Sequence, residues 1–445
     1  MSVAAVERAP QSRCRRRAVV KYAALSRLAS LALALASRAI VGDYDASAQV
    51  VLAGTASLPA QAARALAQVV LRWDSFYFVH IAGSGYTYEQ EHAFFPLLPA
   101  MMRLLASTAL APVALVAGEQ VALAVAGAVV SNVCFVLAAT TLYALGCRTL
   151  HNERLAYTAA LLFVWAPSNM FMSSAQTESL FAWLAFTALL CIARRRYFAA
   201  SLWLCASGLC RSNGVVYSGF LVWDLVVRRE AWDRNQRRIG PMALQALRAA
   251  VLVAISALGF VAFQVYGYRQ GCLQALHPAH GPRPYCRGLP ATMYGFVQAE
   301  YWNVGFLRYY TLQQVPNFLL AAPMVALSVA GVYTYAAHDP VRLATLGWRR
   351  QRCAAPQAGR RPLAAAFLGD GLLPHITVWA ALLAVAMTTM HVQVVTRFFS
   401  SVPAVFWYAA HAAAHGRRAA WAVAGYFAAF GLAGVVLFSS FFPPA

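Results

Sequence analysis

A chain of 445 residues with 61% hydrophobic and only 11% charged residues lacks the charged skin of a soluble protein, roughly a quarter of its residues. The net charge of +21 does not point to nucleic acid, because the arginines fall in short clusters between apolar runs rather than on one face. What remains is an all-α polytopic membrane protein whose Arg-rich loops stay cytosolic under the positive-inside rule.

The clusters are Arg13 to Arg17, Arg148 with Arg154, Arg194 to Arg196, Arg228 to Arg238, Arg342 to Arg361, and Arg417 with Arg418. Placing all of them on the cytosolic side orders the chain. Residues 1–18 form a cytosolic tail, and residues 19–441 form one polytopic unit with no internal repeat and no separate soluble domain. A first span over about 19–41 reads as a signal anchor. Residues 42–112 make a first lumenal loop that carries amphipathic helices along the membrane surface. Spans follow at about 118–146, 155–172 and 177–193.

Residues 197–227 lie between two Arg clusters, yet about thirty residues cannot make two full crossings of ~20 residues each. Two short helices with a turn at Arg211-Ser212-Asn213-Gly214 resolve the conflict. Such a turn is tolerated at membrane depth only where protein or a water-filled cavity surrounds it. A single crossing helix, with one Arg cluster lumenal, is the competing reading. Further spans at about 244–266, 316–337, 372–390, 399–414 and 420–440 bring the total to about eleven. They enclose a second large lumenal loop over residues 269–313 and leave 442–445 as a short lumenal tail.

On this topology Cys14, Cys147 and Cys353 are cytosolic, and Cys134, Cys191, Cys205 and Cys210 lie in spans. Only Cys272 and Cys286 are lumenal, in a Pro- and Gly-rich loop. An even lumenal count points to a disulfide in an oxidising compartment, with two free thiols as the alternative.

Polar residues gather in five lumenal islands. The first loop holds Arg72, Trp73 and Asp74, then Glu89, Glu91 and His92, among aromatic residues. A carboxylate desolvated among rings is poised to act as a base; equally, Asp74 is a good residue to cap a surface helix. Glu178 opens the span that follows Ser173-Ser174-Ala175-Gln176-Thr177, where capping is again the plainer role. Arg211 and Asn213 sit at the hairpin turn, and an intramembrane charge is either functional or structurally paired. Trp302, Asn303, Arg308 and Tyr309 precede Asn317 at the start of a span, where they suit anion binding or interfacial anchoring. His391, Gln393 and Arg397 close the series. There is no metal-binding pattern and no Gly-rich phosphate loop. A site open to the lumen and flanked by lipid suits an activated sugar carried on a membrane lipid.

Five blocks, RWDSFYFVHIAGSGYTYEQEHAFFPLLP, SAQTESLFAWLAF, SGLCRSNG, YWNVGFLRYYTLQQVPNFLLAAP and HVQVVTRF, stand in the order found in a known family. At these residues the chain resembles the PIG-V family of GPI mannosyltransferases, from about residue 22 to 410. Gln176 departs from the pattern, where an aromatic is expected, and no fixed acid is expected at Glu91. The resemblance implies a GT-C glycosyltransferase fold in the endoplasmic reticulum membrane, with the active site at the lumenal face. It implies dolichyl-phosphate mannose as donor substrate, no cofactor, and a mannosylated GPI precursor as acceptor of its second mannose. It also implies a small membrane partner subunit, PIG-X-like in animals.

The donor is β-linked and the product α1,6-linked, so the reaction is one inverting displacement. It needs a base on the acceptor hydroxyl and a cation on the leaving phosphate. Asp74 is the expected base, with Glu178 and Glu89 orienting sugar hydroxyls or substituting for it. Arg211, Arg308 or Arg397 would hold the phosphate, since a guanidinium matches it bidentately. Arg72, Trp73, Asn213, Trp302, Asn303, Tyr309, Asn317, His391 and Gln393 complete the expected substrate-binding set. Two rivals stand beside this reading. One is a transferase of the same fold acting on N-glycan precursors or at another GPI mannose, against which the HVQVVTRF and YWNVGF blocks speak. The other is a lipid scramblase or transporter, a class that commonly shows repeated halves.

Overall fold

Apolar runs in lipid must close their own backbone hydrogen bonds, and a helix does so within one segment. The computed structural model describes residues 3–52, 57–228, 231, 238–273, 283–287, 292–348 and 362–442, and among them there are helices and no strand. Those of ten residues or more run in chain order as α1 (Val3–Val41), α2 (Leu58–Val70), α3 (Ser75–Ser84), α4 (Leu97–Ser107), α5 (Glu119–Thr149), α6 (Glu153–Val164) and α7 (Glu178–Ala193). They continue as α8 (Tyr197–Gly208), α9 (Ile239–Tyr268), α10 (Met293–Trp302), α11 (Val315–His338), α12 (Leu373–Thr389), α13 (Pro403–Ala414) and α14 (Arg417–Ser439). Among the described residues six helical stretches are long and apolar enough to cross a membrane: Arg13–Val41, Glu119–Thr149, Ile239–Leu273, Leu312–His338, Asp370–Thr389 and Arg417–Ser439. A seventh is added if α4 and Ala111–Ala117, bent by 79°, count as one broken span. Arg349 to Arg361, Cys353 and the 443–445 end of the tail lie outside the described residues, as does most of the Arg228 to Arg238 cluster.

The segment expected as a span over 155–172 is helical only to Val164. Pro167 has no N–H to continue the ladder, and residues 165–177 run as irregular backbone. Residues 166–182 are nevertheless buried, so their carbonyls need partners within the protein. Side chains of α5 supply two: Asn132 donates to the Ser173 carbonyl at 2.9 Å, and Ser131 to that of Gln176 at 3.0 Å. Arg27 of α1, 3% exposed, supplies more. Its guanidinium donates to the Asn169 carbonyl at 2.9 Å, the Asn169 side chain at 2.6 Å and the Ser173 hydroxyl at 2.8 Å. Gly127 lets this segment press on α5, since a Cβ there would stand 2.5 Å from that of Ala175.

Residues 197–227 leave and return to one end of the bundle. The Tyr197 hydroxyl at the start of α8 donates to Asp224 at 2.6 Å, so the two ends of the segment lie side by side. Twelve residues of α8 rise about 18 Å, short of a ~30 Å hydrocarbon core. The returning arm begins as a 3₁₀ helix over Ser212–Ser218. A Cβ on Gly214 would fall 2.6 Å from the Ser207 carbonyl carbon, so only glycine lets the arms touch this closely. Arg211 is at the tip, beside the start of α7.

The two large loops are tied together. Cys272 and Cys286 form a disulfide with Cα atoms 5.6 Å apart. Next to it, Arg283 and Tyr285 reach Glu89 of the first loop at 2.6 and 2.9 Å, and Tyr301 of α10 reaches the same carboxylate at 2.8 Å. Burial and the Glu89 carboxylate push the Tyr301 phenol up to about 12, so it stays protonated and donates.

Arg27→Leu would leave the 165–177 carbonyls without their cationic donor. Charged hydrogen bonds contribute roughly 1.5–3 kcal/mol each. The variant is expected to unfold several degrees earlier in detergent, read by thermal denaturation, while a substitution at exposed Leu28 leaves the midpoint in place.

Candidate active site

The segments fixed by Arg27 and by the hairpin converge with the first loop at one end of the bundle. Arg397, between α12 and α13, is the centre of that convergence. Its guanidinium donates to Asp74 at 2.9 Å, to Glu178 at 2.9 Å and to the Gln176 side-chain oxygen at 2.7 Å. Arg211 approaches the same Glu178 oxygen at 3.1 Å and the Thr177 hydroxyl at 3.1 Å. Two carboxylates face two guanidiniums, so the cluster is electrically balanced. Burial alone would lower the Arg397 pKa, but Glu178 and Asp74 outweigh it and hold the group firmly cationic.

Both acids occupy helix starts, as a capping role would have them, and neither caps. Asp74 precedes α3 and Glu178 opens α7, yet no side-chain cap bond forms at either start. Their carboxylates turn to the arginines instead. The two differ in access: the Glu178 side chain is fully buried, whereas that of Asp74 is 35% exposed. Among the described residues Asp74 bonds Arg397 through one oxygen only, leaving the other open. Asp74 can therefore receive a proton from a bound hydroxyl while Glu178 holds the arginines in place.

Backbone geometry aims Asp74. Trp73 has φ +53, a left-handed conformation that is strained for a tryptophan. It persists because both neighbours are tethered. Arg72, fully buried, donates to Asp43 at 2.7 Å and to the Ser439 carbonyl at 2.9 Å. Burial lowers the Arg72 pKa to about 10, with Asp43 opposing, which keeps it charged. Trp73 itself lies against Phe441 with ring centroids 5.4 Å apart.

A second polar group borders the first through rings. Tyr77, one turn beyond Asp74, stacks on Phe94 at 4.4 Å and meets Trp302 edge-on at 6.2 Å. The Trp302 carbonyl bonds His391 at 2.7 Å, and His391 stacks on Tyr309 at 4.6 Å. Asn317 donates to the Tyr309 hydroxyl at 2.8 Å, and Gln393 lies beside that hydroxyl. Asn303 ends α10 in the left-handed conformation that asparagine tolerates. The following loop docks on α12 through Gly305 and Leu307, bonded to Thr389 and Thr388. Arg308 on this loop is exposed and has no ion-pair partner among the described residues. Asn213 is buried beside Arg211, its amide nitrogen without a partner.

Glu89 is not with Asp74 and Glu178. It is the acceptor for Arg283, Tyr285 and Tyr301. Glu91 has a place of its own, bonded to His80 and to the Thr87 and Tyr88 amides at 2.8 and 2.9 Å. Gln176 enters the site as a direct partner of Arg397. Its signal in the sequence is a long polar side chain two residues from a buried acid. Among the described residues no three His, Cys, Asp or Glu side chains converge as a metal site.

Glu178→Gln removes the charge that two guanidiniums share. Breaking a buried pair on one side costs roughly 3–5 kcal/mol. Lower abundance and an earlier thermal midpoint are expected, and an unchanged midpoint would show that this carboxylate does not hold the site together.

The family model described as Mannosyltransferase (PIG-V) matches residues 16–445. The GPI alpha-1,6-mannosyltransferase 2 of Rattus norvegicus is 35% identical over 417 residues, covering 88% of this chain and 83% of the rat protein. The Homo sapiens protein of the same name is 32% identical over 423 residues, covering 89% and 84%. The GPI mannosyltransferase 2 of Chaetomium globosum is 32% identical over 457 residues, covering 91% of each. No solved structure matches the chain. A match over nearly the whole length, passing through every segment that meets at Arg397, places this chain in the PIG-V family of mannosyltransferases.

Proposed function

We propose that this protein transfers a mannose from dolichyl-phosphate mannose to a mannosylated GPI precursor in α1,6 linkage, at the lumenal face of the endoplasmic reticulum membrane. The activity follows from the family and from the names of its relatives. The observation that carries the mechanism is Asp74, held through one oxygen by Arg397 and open at the other. About eleven membrane segments in a GT-C arrangement, and a small membrane subunit as partner, complete the reading.

Inversion at the anomeric carbon needs an acceptor hydroxyl behind the leaving phosphate. Asp74 takes the proton of that hydroxyl as the new bond forms. Arg397 fixes the carboxylate's orientation, and Gln176 and Glu178 fix Arg397 in turn. Arg397 and Arg211 are already engaged with carboxylates. Arg308, exposed and unpaired among the described residues, is the better cation for the departing phosphate. Trp302, edge-on to Tyr77 one turn beyond Asp74, with His391, Tyr309, Asn317 and Gln393 linked to it, is the group assigned to stacking and hydrogen bonding of a sugar.

The test is mannose transfer from dolichyl-phosphate mannose onto a defined GPI precursor in microsomes. Asp74→Asn is expected to lower the turnover by ~10²–10⁴ with abundance unchanged, the range for a lost general base. Near-normal transfer by the folded variant removes Asp74 from the mechanism. Arg308→Gln is expected to raise the donor KM about tenfold or more, the loss of one charged hydrogen bond. A donor KM equal to wild type would place the phosphate elsewhere.

A further inference from the structure

A prominent cavity lies away from Asp74. A hollow of about 1020 Å³ lies at the other end of the bundle. Its walls are the last turns of α5 and α7, the start of α1, the returning arm of the hairpin and the start of α12. The sixteen residues of α7 run from Glu178 in the first cluster to this hollow, about 24 Å at 1.5 Å per residue.

The lining has two characters. Leu189, Leu190, Ile192 and Phe220 present an apolar wall. Six arginines, Arg13, Arg16, Arg148, Arg194, Arg195 and Arg228, line the same space against one acid, Asp224. That acid is already engaged by Arg228 at 2.9 Å and by the Tyr197 hydroxyl at 2.6 Å. The positive-inside rule accounts for arginines in each loop separately. It does not account for four separate segments turning theirs onto one hollow.

We propose that this cavity binds a phosphate-bearing anion, most favourably the headgroup of an anionic membrane lipid whose chains lie along the apolar wall. Guanidinium groups recognise phosphate oxygens through charged, paired hydrogen bonds. A mouth of arginines above an apolar wall at the end of a membrane bundle matches an amphiphile with an anionic head. The site is distinct from the sugar-transfer site and independent of how that site works.

The experiment uses the purified full-length chain in neutral detergent, titrated calorimetrically with dioctanoyl phosphatidic acid, inorganic phosphate and dioctanoylglycerol. Saturable binding of phosphatidic acid is expected, with dioctanoylglycerol silent. Arg16→Ala combined with Arg194→Ala removes two exposed side chains that hold no ion pair among the described residues, so the fold is retained. This double variant is expected to bind phosphatidic acid at least about tenfold more weakly while still transferring mannose. Arg308→Gln, at the opposite end, is expected to bind it as wild type does. Inorganic phosphate binding as tightly as phosphatidic acid supports the site and assigns it to free phosphate. Absence of saturable binding, equal binding of dioctanoylglycerol, or full affinity in the double variant overturns the proposal. Loss of affinity in Arg308→Gln alone overturns it as well, since the lipid would then be in the transfer site.

Discussion

One guanidinium joins parts of this protein that lie far apart along the chain. Arg397 bonds Asp74, Gln176 and Glu178, partners 323, 221 and 219 residues away along the chain. A cation at the edge of lipid must be compensated or it costs several kcal/mol. The segments carrying its acids therefore have to arrive at fixed positions, and each has its own anchor. Arg72 ties the Asp74 loop to Asp43 and to the end of α14. Arg27 holds the irregular approach to Glu178. The hairpin delivers Arg211 to the other side of Glu178. Three arginines placed remotely in sequence thus define where a single partly open carboxylate stands.

How much of this was legible depends on the range over which the signal acts. Hydropathy is local, so helices such as α5, α9 and α14 stand out as continuous apolar runs. The hairpin was legible because arginines count sidedness and thirty residues are too few for two crossings. The polar islands were legible because acids are scarce in this chain. Their grouping was not. Glu89 and Glu91 are two residues apart, yet one clamps the second loop and the other braces its own turn. No local pattern separates them, since the partners Arg283 and Tyr285 come from a loop nearly two hundred residues on.

Averaging hid other residues. Arg27 lies inside a window that scores as a membrane span, so one charge among apolar neighbours is absorbed by the mean. Pro167 breaks the helix that hydropathy extends to 172, because backbone chemistry and apolar composition are separate constraints. Gln176 looked like a departure from the family pattern. Its oxygen meets Arg397, so in this chain an amide occupies a position at the guanidinium where an aromatic could only offer its face.

The bundle also has two electrically different ends, and α7 connects them. Glu178 stands in its first turn and Arg194 to Arg196 follow its last, the arrangement a helix dipole favours at both termini. At the Glu178 end the charges of the cluster balance, two carboxylates against two guanidiniums, so Arg397 and Arg211 carry no uncompensated charge. At the Arg194 end six arginines face one acid, and the imbalance persists because water and membrane anions can reach it. Balanced charge suits a group that must hold a proton acceptor still. Uncompensated charge suits a group that waits for an anion. The same residue type therefore plays opposite parts about 24 Å apart, and what separates them is whether the neighbouring chain supplies a carboxylate.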